Sequence, residues 1–224
     1  MEEDKLKPEI IESADGSHTL RVESLNENYH SHKGALTESL HVFLKTGLAL
    51  FSEKESIQLL EVGFGTGLNA MLTALDSKRK EVHYTSLETY PLSWEMVSKL
   101  NYAQLVNDPK AELIFEKMHT TPWGEFAEIA EGFSLRKVKS ALQKFESDTQ
   151  FDLVYYDAFA PHAQPELWEP VIWKKLFEMM SVGGVLVTYC AKGQVRRDMQ
   201  TAGFKVERLE GPPGKREMIR ATKP

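Results

Sequence analysis

The order of elements written into these 224 residues predicts a doubly wound α/β fold, a mostly parallel seven-stranded sheet closed by an antiparallel C-terminal hairpin and preceded by an N-terminal extension. Three observations predict it. Short apolar runs rich in Val, Leu, Ile and Tyr recur with helix-like stretches between them, as strands buried on both faces require. One run ends in the loop Gly63-Phe64-Gly65-Thr66-Gly67 and opens a helix. The chain finishes on two β-like runs around Gly211-Pro212-Pro213-Gly214, the signature of a hairpin.

Residues 1–50 do not fit the alternation and form the extension, with a short β segment near 19–23 and a helix over about 37–48. The main domain then spans 51–224. Its first strand covers 57–62 and stops at Gly63, and a helix follows over 68–75. A second strand covers 82–87, with a helix over 94–100 after it. The apolar run Leu113-Ile114-Phe115 reads as a third strand over 112–115. The stretch 126–145 reads as amphipathic and mostly helical, interrupted at Gly132. The fourth strand covers 151–156, a helix 167–180, the fifth strand begins at 184 and a helix spans 195–201. Runs 205–209 and 217–221 form the hairpin.

Composition removes several function classes. Cys190 is the single cysteine, so neither a disulfide framework nor a cysteine-based zinc cluster is available. The start Met1-Glu2-Glu3-Asp4-Lys5 lacks the basic and apolar regions of a secretory signal, and no apolar run approaches the ~18–20 residues of a membrane helix. A soluble, cytoplasmic protein without membrane contact is expected. The net charge of −6 argues against a nucleic-acid partner, but its distribution does not: residues 171–224 hold eleven basic and five acidic residues. A basic patch of this kind binds phosphates, or is a solvated face.

The glycine spacing is G-x-G-x-G. The dinucleotide fingerprint wants glycine where Leu68 stands, so the loop suits an adenosyl ligand better than a pyrophosphate. Glu88 ends the second strand, where a carboxylate accepts from ribose hydroxyls. Asp157 ends the fourth. If the first and fourth strands are neighbours, Asp157 faces the glycine loop across the crevice where strand order reverses, and its carboxylate can hold an ammonium group.

Together these residues resemble the class I S-adenosylmethionine-dependent methyltransferases, which have a Rossmann-like fold. More narrowly they resemble the methyltransferase domains of the MnmC family of tRNA wobble-uridine modification enzymes. The resemblance rests on Gly63 to Asn69, Ser86-Leu87-Glu88-Thr89-Tyr90-Pro91-Leu92, Asp157-Ala158-Phe159-Ala160-Pro161, Pro165-Glu166-Leu167-Trp168, Val195-Arg196-Arg197, Ala202-Gly203-Phe204 and Gly214-Lys215-Arg216-Glu217-Met218. Tyr29 and the string Gly34 to Ser39 fit as well, so it runs from about Tyr29 to Ala221.

The resemblance implies S-adenosylmethionine as cofactor, held by Glu61, Gly63, Phe64, Gly65, Thr66, Gly67, Asn69, Glu88 and Asp157. It implies transfer of a methyl group to the amine of 5-aminomethyl-(2-thio)uridine at the tRNA wobble position. Members often carry an FAD-dependent oxidase domain that makes this amine. Only one nucleotide-binding loop is evident here, so a stand-alone methyltransferase is expected. The family places an acid after the third strand, against the adenine; Lys117 stands at that place, with Glu116 or the Met118 backbone as substitutes.

The attacking amine has to be neutral, and Asp157 is the candidate catalytic group to orient it and accept its proton. Glu38 is a second candidate near the mouth. Tyr156 and Phe159 either bracket the amine and stack on the uracil or belong to the core. Lys192, Arg196, Arg197, Lys215 and Arg216 are candidate contacts to anticodon-stem phosphates. His30 and His32 lack a third metal ligand, and no metal is expected. His119 and His162 read as surface or site-lining, Cys190 as a small core residue, and Trp123, Trp168 and Trp173 as packing. A free small amine, methylated or aminopropylated as by spermidine synthase, is the alternative substrate class; a non-catalytic RNA-binding subunit is the alternative of another kind.

Overall fold

A computed structural model describes residues 7–77 and 80–224. The acidic start 1–5, read above as lacking a signal, lies outside the described residues. Strands β1 (Pro8–Glu12), β2 (His18–Val22) and β3 (Glu27–Asn28) form a small antiparallel sheet. Helix α1 (Ala35–Ser39) runs on into a π-helical turn, Leu40–Lys45, and a 3-10 turn at Leu48–Phe51 follows. Then come β4 (Ser56–Val62), α2 (Leu68–Asp76), β5 (Glu81–Glu88), the short helices α3 (Trp94–Val97) and α4 (Tyr102–Leu105), and α5 (Ala111–Thr120). Next are β6 (Phe126–Ala130), β7 (Phe133–Lys139), β8 (Phe151–Tyr156), α6 (Pro170–Met179), β9 (Met180–Thr188), α7 (Gly193–Thr201), β10 (Lys205–Glu210) and β11 (Glu217–Thr222).

The large sheet has the order β10-β11-β9-β8-β4-β5-β7-β6. Its strands β9, β8, β4, β5 and β7 run parallel; β11 and β6 run against them, and β10, antiparallel to β11, runs with them again. Strands β4 and β8, at the centre, are buried on both faces, which is why they read as continuous apolar runs. One face packs Leu59, Tyr84, Leu153 and Tyr155 against α2 and α5; the other packs Val154, Tyr156 and Leu186 against Trp173, Leu176 and Met199. Leu20, Ala35, Val42, Phe43 and Leu48 of the first fifty residues sit in the first of these clusters, with the Phe43 and Tyr155 rings 5.0 Å apart.

Two elements differ from the sequence reading. Residues 112–115 are helix, not strand. The buried residues of α5 are Ala111, Ile114, Phe115 and Met118, a helical spacing, while Leu113 is 67% exposed. The stretch 126–145 is not helical: 126–139 is the β6–β7 hairpin, turning at Gly132 with φ +73°, where a Cβ would lie 2.8 Å from the Lys80 carbonyl oxygen, and 140–145 is loop and turn. Phe133, Leu135 and Lys137 alternate inward, and the charge on Lys137 disguised that period of two. The hairpin brings the sheet to eight strands rather than seven. β1 and β3 were also unread.

Candidate active site

The glycine loop and Asp157 meet where strand order reverses. β4 pairs with β5 on one side and β8 on the other, so the chain leaves the sheet in opposite directions from β4 and β8. The Asp157 N–H donates to the Val62 carbonyl at 3.0 Å, and the Gly63 N–H to the Leu87 carbonyl at 3.0 Å. The segments are so close that a Cβ on Gly63 would lie 2.7 Å from the Asp157 carbonyl oxygen; φ there is +96°. Gly65 and Gly67 also have positive φ, and Tyr29 lies against Gly65. Above this crevice is a cavity of about 590 Å³, of the size usual for small-molecule sites.

Three carboxylates organise the floor and one wall. Glu61 is fully buried, accepting from Asn69 Nδ2 at 3.1 Å and from Ser86 Oγ at 2.6 Å. Burial pushes its carboxyl up to about 8 against those hydrogen bonds. The same Asn69 Nδ2 donates to Asp157 Oδ2 at 2.8 Å. Burial, and then the charge of Glu38, push Asp157 up to about 7. Glu88 lines the cavity at the end of β5 and accepts from the backbone N–H groups of Gly65 (2.9 Å), Thr89 and Tyr90 (both 2.8 Å). The loop is thus pinned to the second parallel strand through a side chain.

The cavity brings together Gly63, Phe64, Gly65, Thr66, Asn69, Glu88, Glu38, Asp157, Phe159 and Lys215 of the residues picked from sequence. Gly67 stands just behind, under the first turn of α2, and Glu61 lies below Asn69. Tyr156 is corrected. It is fully buried on the far face of the sheet, its hydroxyl donating to the Leu167 carbonyl and its ring packed on Trp168 and Trp173. Strand alternation points Tyr155 and Tyr156 to opposite faces, and neither reaches the cavity. Lys192, Arg197 and Arg216 are exposed and Arg196 half-buried. Lys192 caps α7 directly beyond β9, and the 211–216 turn lies beyond the same strand end because β11 runs antiparallel to it. Lys215 points inward, onto Glu38.

The adenine expectation is also corrected, because 116–118 lie in α5. The strand beside β5 is β7, and the residues after it that line the cavity are Ser140 and Leu142, neither acidic. His119 is half-buried beneath the glycine loop, its Nε2 3.1 Å from the Thr66 carbonyl, and desolvation lowers it to about 4, so it donates as the neutral ring. Lys137 Nζ lies 5.0 Å from the Trp123 ring centroid. His162 is exposed and pairs with Glu27; His30 is buried on Thr19; Cys190, Trp168 and Trp173 are buried. Sequence reading missed Tyr189, which follows β9 directly and lines the cavity by the same strand-end rule that found Asp157.

The residues present fit an adenosyl ligand. The cavity is large enough, and Glu88 retains acceptor capacity on Oε2 for a ribose hydroxyl. Asn69 Oδ1 and Thr66 Oγ1 are buried without a hydrogen-bond partner beside the loop. Among the described residues no group of three His, Cys, Asp or Glu stands together to hold a metal, and no helix is long and apolar enough to cross a membrane.

Comparison with known proteins finds similarity to the same family. Residues 127–224 match the family model described as S-adenosyl-L-methionine-dependent methyltransferase. The tRNA 5-methylaminomethyl-2-thiouridine biosynthesis bifunctional protein MnmC of Leptospira interrogans is 32% identical over 214 residues, 88% of this chain and 32% of that protein. The chain spans about a third of the length of the curated relatives it matches. The crystal structure of MnmC2 from Aquifex aeolicus superposes with a TM-score of 0.80 at 29% identity, covering 98% of this chain and 71% of that one. Spermidine synthase from Thermotoga maritima shares the fold, with a TM-score of 0.62 at 14% identity over 98% of this chain and 69% of that one.

Proposed function

We propose that this chain, which belongs to the S-adenosyl-L-methionine-dependent methyltransferases, methylates the amine of 5-aminomethyl-(2-thio)uridine at the wobble position of tRNA. The observation that carries the chemistry is Asp157: a cavity-lining carboxylate at the strand-order reversal, held by Asn69 and raised to about 7. The substrate follows from the relatives, whose names describe biosynthesis of 5-methylaminomethyl-2-thiouridine in tRNA; that product carries one methyl group more than the aminomethyl nucleoside.

Bound S-adenosylmethionine supplies a methyl group on a positively charged sulfur, already a good leaving group. The chain's own contribution is therefore positioning and proton handling. Gly63 to Gly67, Asn69 and Glu88 hold the cofactor, with Ser140 and Leu142 on the adenine side. Asp157 orients the amine and takes one of its protons. The amine nitrogen accepts the methyl group that the cofactor would supply, and Asp157 would pass the amine's proton to solvent. Phe159, fixed edge-on to Tyr29 with centroids 5.0 Å apart, offers an aromatic wall to the uracil.

The test is methyl transfer to two tRNA pools, one rich in the aminomethyl wobble nucleoside and one an unmodified transcript, read by nucleoside mass spectrometry. A gain of one methyl group on the aminomethyl nucleoside in the first pool alone is expected. Methylation of neither pool, with cofactor bound, refutes the tRNA substrate and leaves a free small amine.

Lys192, Arg196, Arg197 and Arg216 rim the carboxyl edge of the sheet and neutralise anticodon-stem phosphates. With about four such contacts, log KM for tRNA rises against log salt with a slope of about 3, and K192A/R197A lowers that slope by about 1.5. An unchanged slope in the double variant removes these residues from the interface.

A further inference from the structure

One wall of the cavity already holds an alkylammonium, and it belongs to the chain itself. Lys215, in the β10–β11 turn, pairs with Glu38, and its Nζ lies 3.8 Å from the centroid of the Tyr189 ring. Each part of this seat is fixed independently. The second oxygen of Glu38 accepts from the Ser31 N–H at 2.8 Å, and its side chain is only 8% exposed. The Tyr189 hydroxyl donates to the Ala158 carbonyl at 2.8 Å, which holds the ring face toward Lys215. Asp157 stands close enough for the charge of Glu38 to act on it. All four side chains line the cavity.

A carboxylate, an aromatic face and a second carboxylate make a cation box. We propose that Glu38, Tyr189 and Asp157 form the seat for the substrate's alkylammonium group, which Lys215 fills in the free protein and vacates when substrate enters. The proposal rests on the reading that the substrate is an alkylamine. Glu38 Oε2 is taken by the Ser31 N–H, so a second ammonium would have to meet Lys215 at Oε1 and the same ring face, where the two charges repel; the seat therefore exchanges one for the other. Lys215 has a flexible four-carbon stem on an exposed turn and can leave; Glu38 and Tyr189 are held from behind. The turn itself rests on the extension, a Cβ on Gly214 falling 2.6 Å from Lys33 Cγ. Exchange at the seat therefore releases the charged tie between the hairpin turn and Glu38, next to the basic rim assigned to tRNA. Glu38 receives the amine charged, and Asp157 then takes its proton. Lys215 is thus a self-competitor that selects for a charged amine, and it does not contact phosphate.

The experiment uses the full chain saturated with S-adenosylhomocysteine, with methylammonium, 5-aminomethyluridine and uridine as probes. If the seat is vacant about a tenth of the time, K215M tightens methylammonium about tenfold, and adding E38Q abolishes the gain. In wild-type protein the lysine Cε resonance shielded by the Tyr189 ring moves to ordinary lysine values as methylammonium saturates; this reading needs no variant to fold. Unchanged or weaker methylammonium binding in K215M, or a shielded resonance that persists at saturation, overturns the exchange and leaves a structural ion pair. If methylammonium behaves as expected while 5-aminomethyluridine binds no better than methylammonium, the seat stands and the wobble-uridine substrate falls.

Discussion

Asp157→Asn retains its fold and its cofactor, and its kcat at saturating cofactor falls by about 10²–10⁴-fold, the range of a lost general base. Asparagine keeps the volume of the side chain and can still meet Asn69 after an amide flip, but it cannot take a proton. The pH profile separates this loss from a positioning defect. In the parent, kcat/KM, which reports the free enzyme, rises through about pH 7 as Asp157 ionises. The variant has no such limb. A variant with parental kcat, or with the same acid limb, would show that the proton leaves by another route.

The same carboxyl predicts an opposite effect on stability. Its folded value, about 7, lies above the ordinary 3.8, because burial disfavours the charged form. The unfolded chain therefore releases this proton first as pH rises, and stability is lost between about pH 4 and pH 7. Asp157→Asn removes that penalty. Its Tm exceeds the parent's at pH 8, and the gap narrows toward pH 4 and closes below it, where both states of the parent are protonated. A variant less stable than the parent at pH 8 contradicts the burial argument. Activity is gained here at a cost in stability, as at other sites that hold a strained charge.

What was legible in the sequence followed from local rules. Gly63, Gly65 and Gly67 announced a loop of positive φ after a strand, and the strand-end rule placed Glu88 and Asp157 on the same crevice. The hairpin at Gly211 to Gly214 was legible because glycine and proline mark turns without reference to the rest of the chain. The misread regions were those where a single residue contradicted the local period. The run Leu113-Ile114-Phe115 looks like a strand only if Leu113 is counted as buried, and it is not. Lys137 hides an inward position of β7 because its ammonium is satisfied by the His119 carbonyl and the Trp123 face, partners distant in sequence. Tyr156 was assigned to the site because strand-end residues are good candidates, but one residue of alternation sends it to the opposite face. Lys215 counted as one more positive charge; only the tertiary fold turns it inward onto Glu38.

Glu88→Ala weakens S-adenosylmethionine binding by about 10²–10⁴-fold, since two hydrogen bonds to a charged group at about 1.5–3 kcal/mol each are lost. One of these is the bond to the ligand. The other is the Gly65 N–H on Oε2, through which β5 holds the glycine loop in its left-handed turns. The Thr89 and Tyr90 N–H groups occupy Oε1, which leaves Oε2 as the oxygen that faces a ribose hydroxyl. Glutamine is expected to fall between parent and alanine: it retains one acceptor oxygen but sets an NH₂ group against backbone donors. The effect belongs to binding, so kcat at saturating cofactor stays within about threefold of the parent, opposite to the Asp157 variant, whose loss persists at saturation. Calorimetry of cofactor binding and single-turnover methyl transfer measure the two quantities separately. Parental affinity in Glu88→Ala would remove Glu88 from the cofactor site. A fall in kcat at saturation equal to the fall in affinity would place its effect on the reacting atoms, through the loop it anchors.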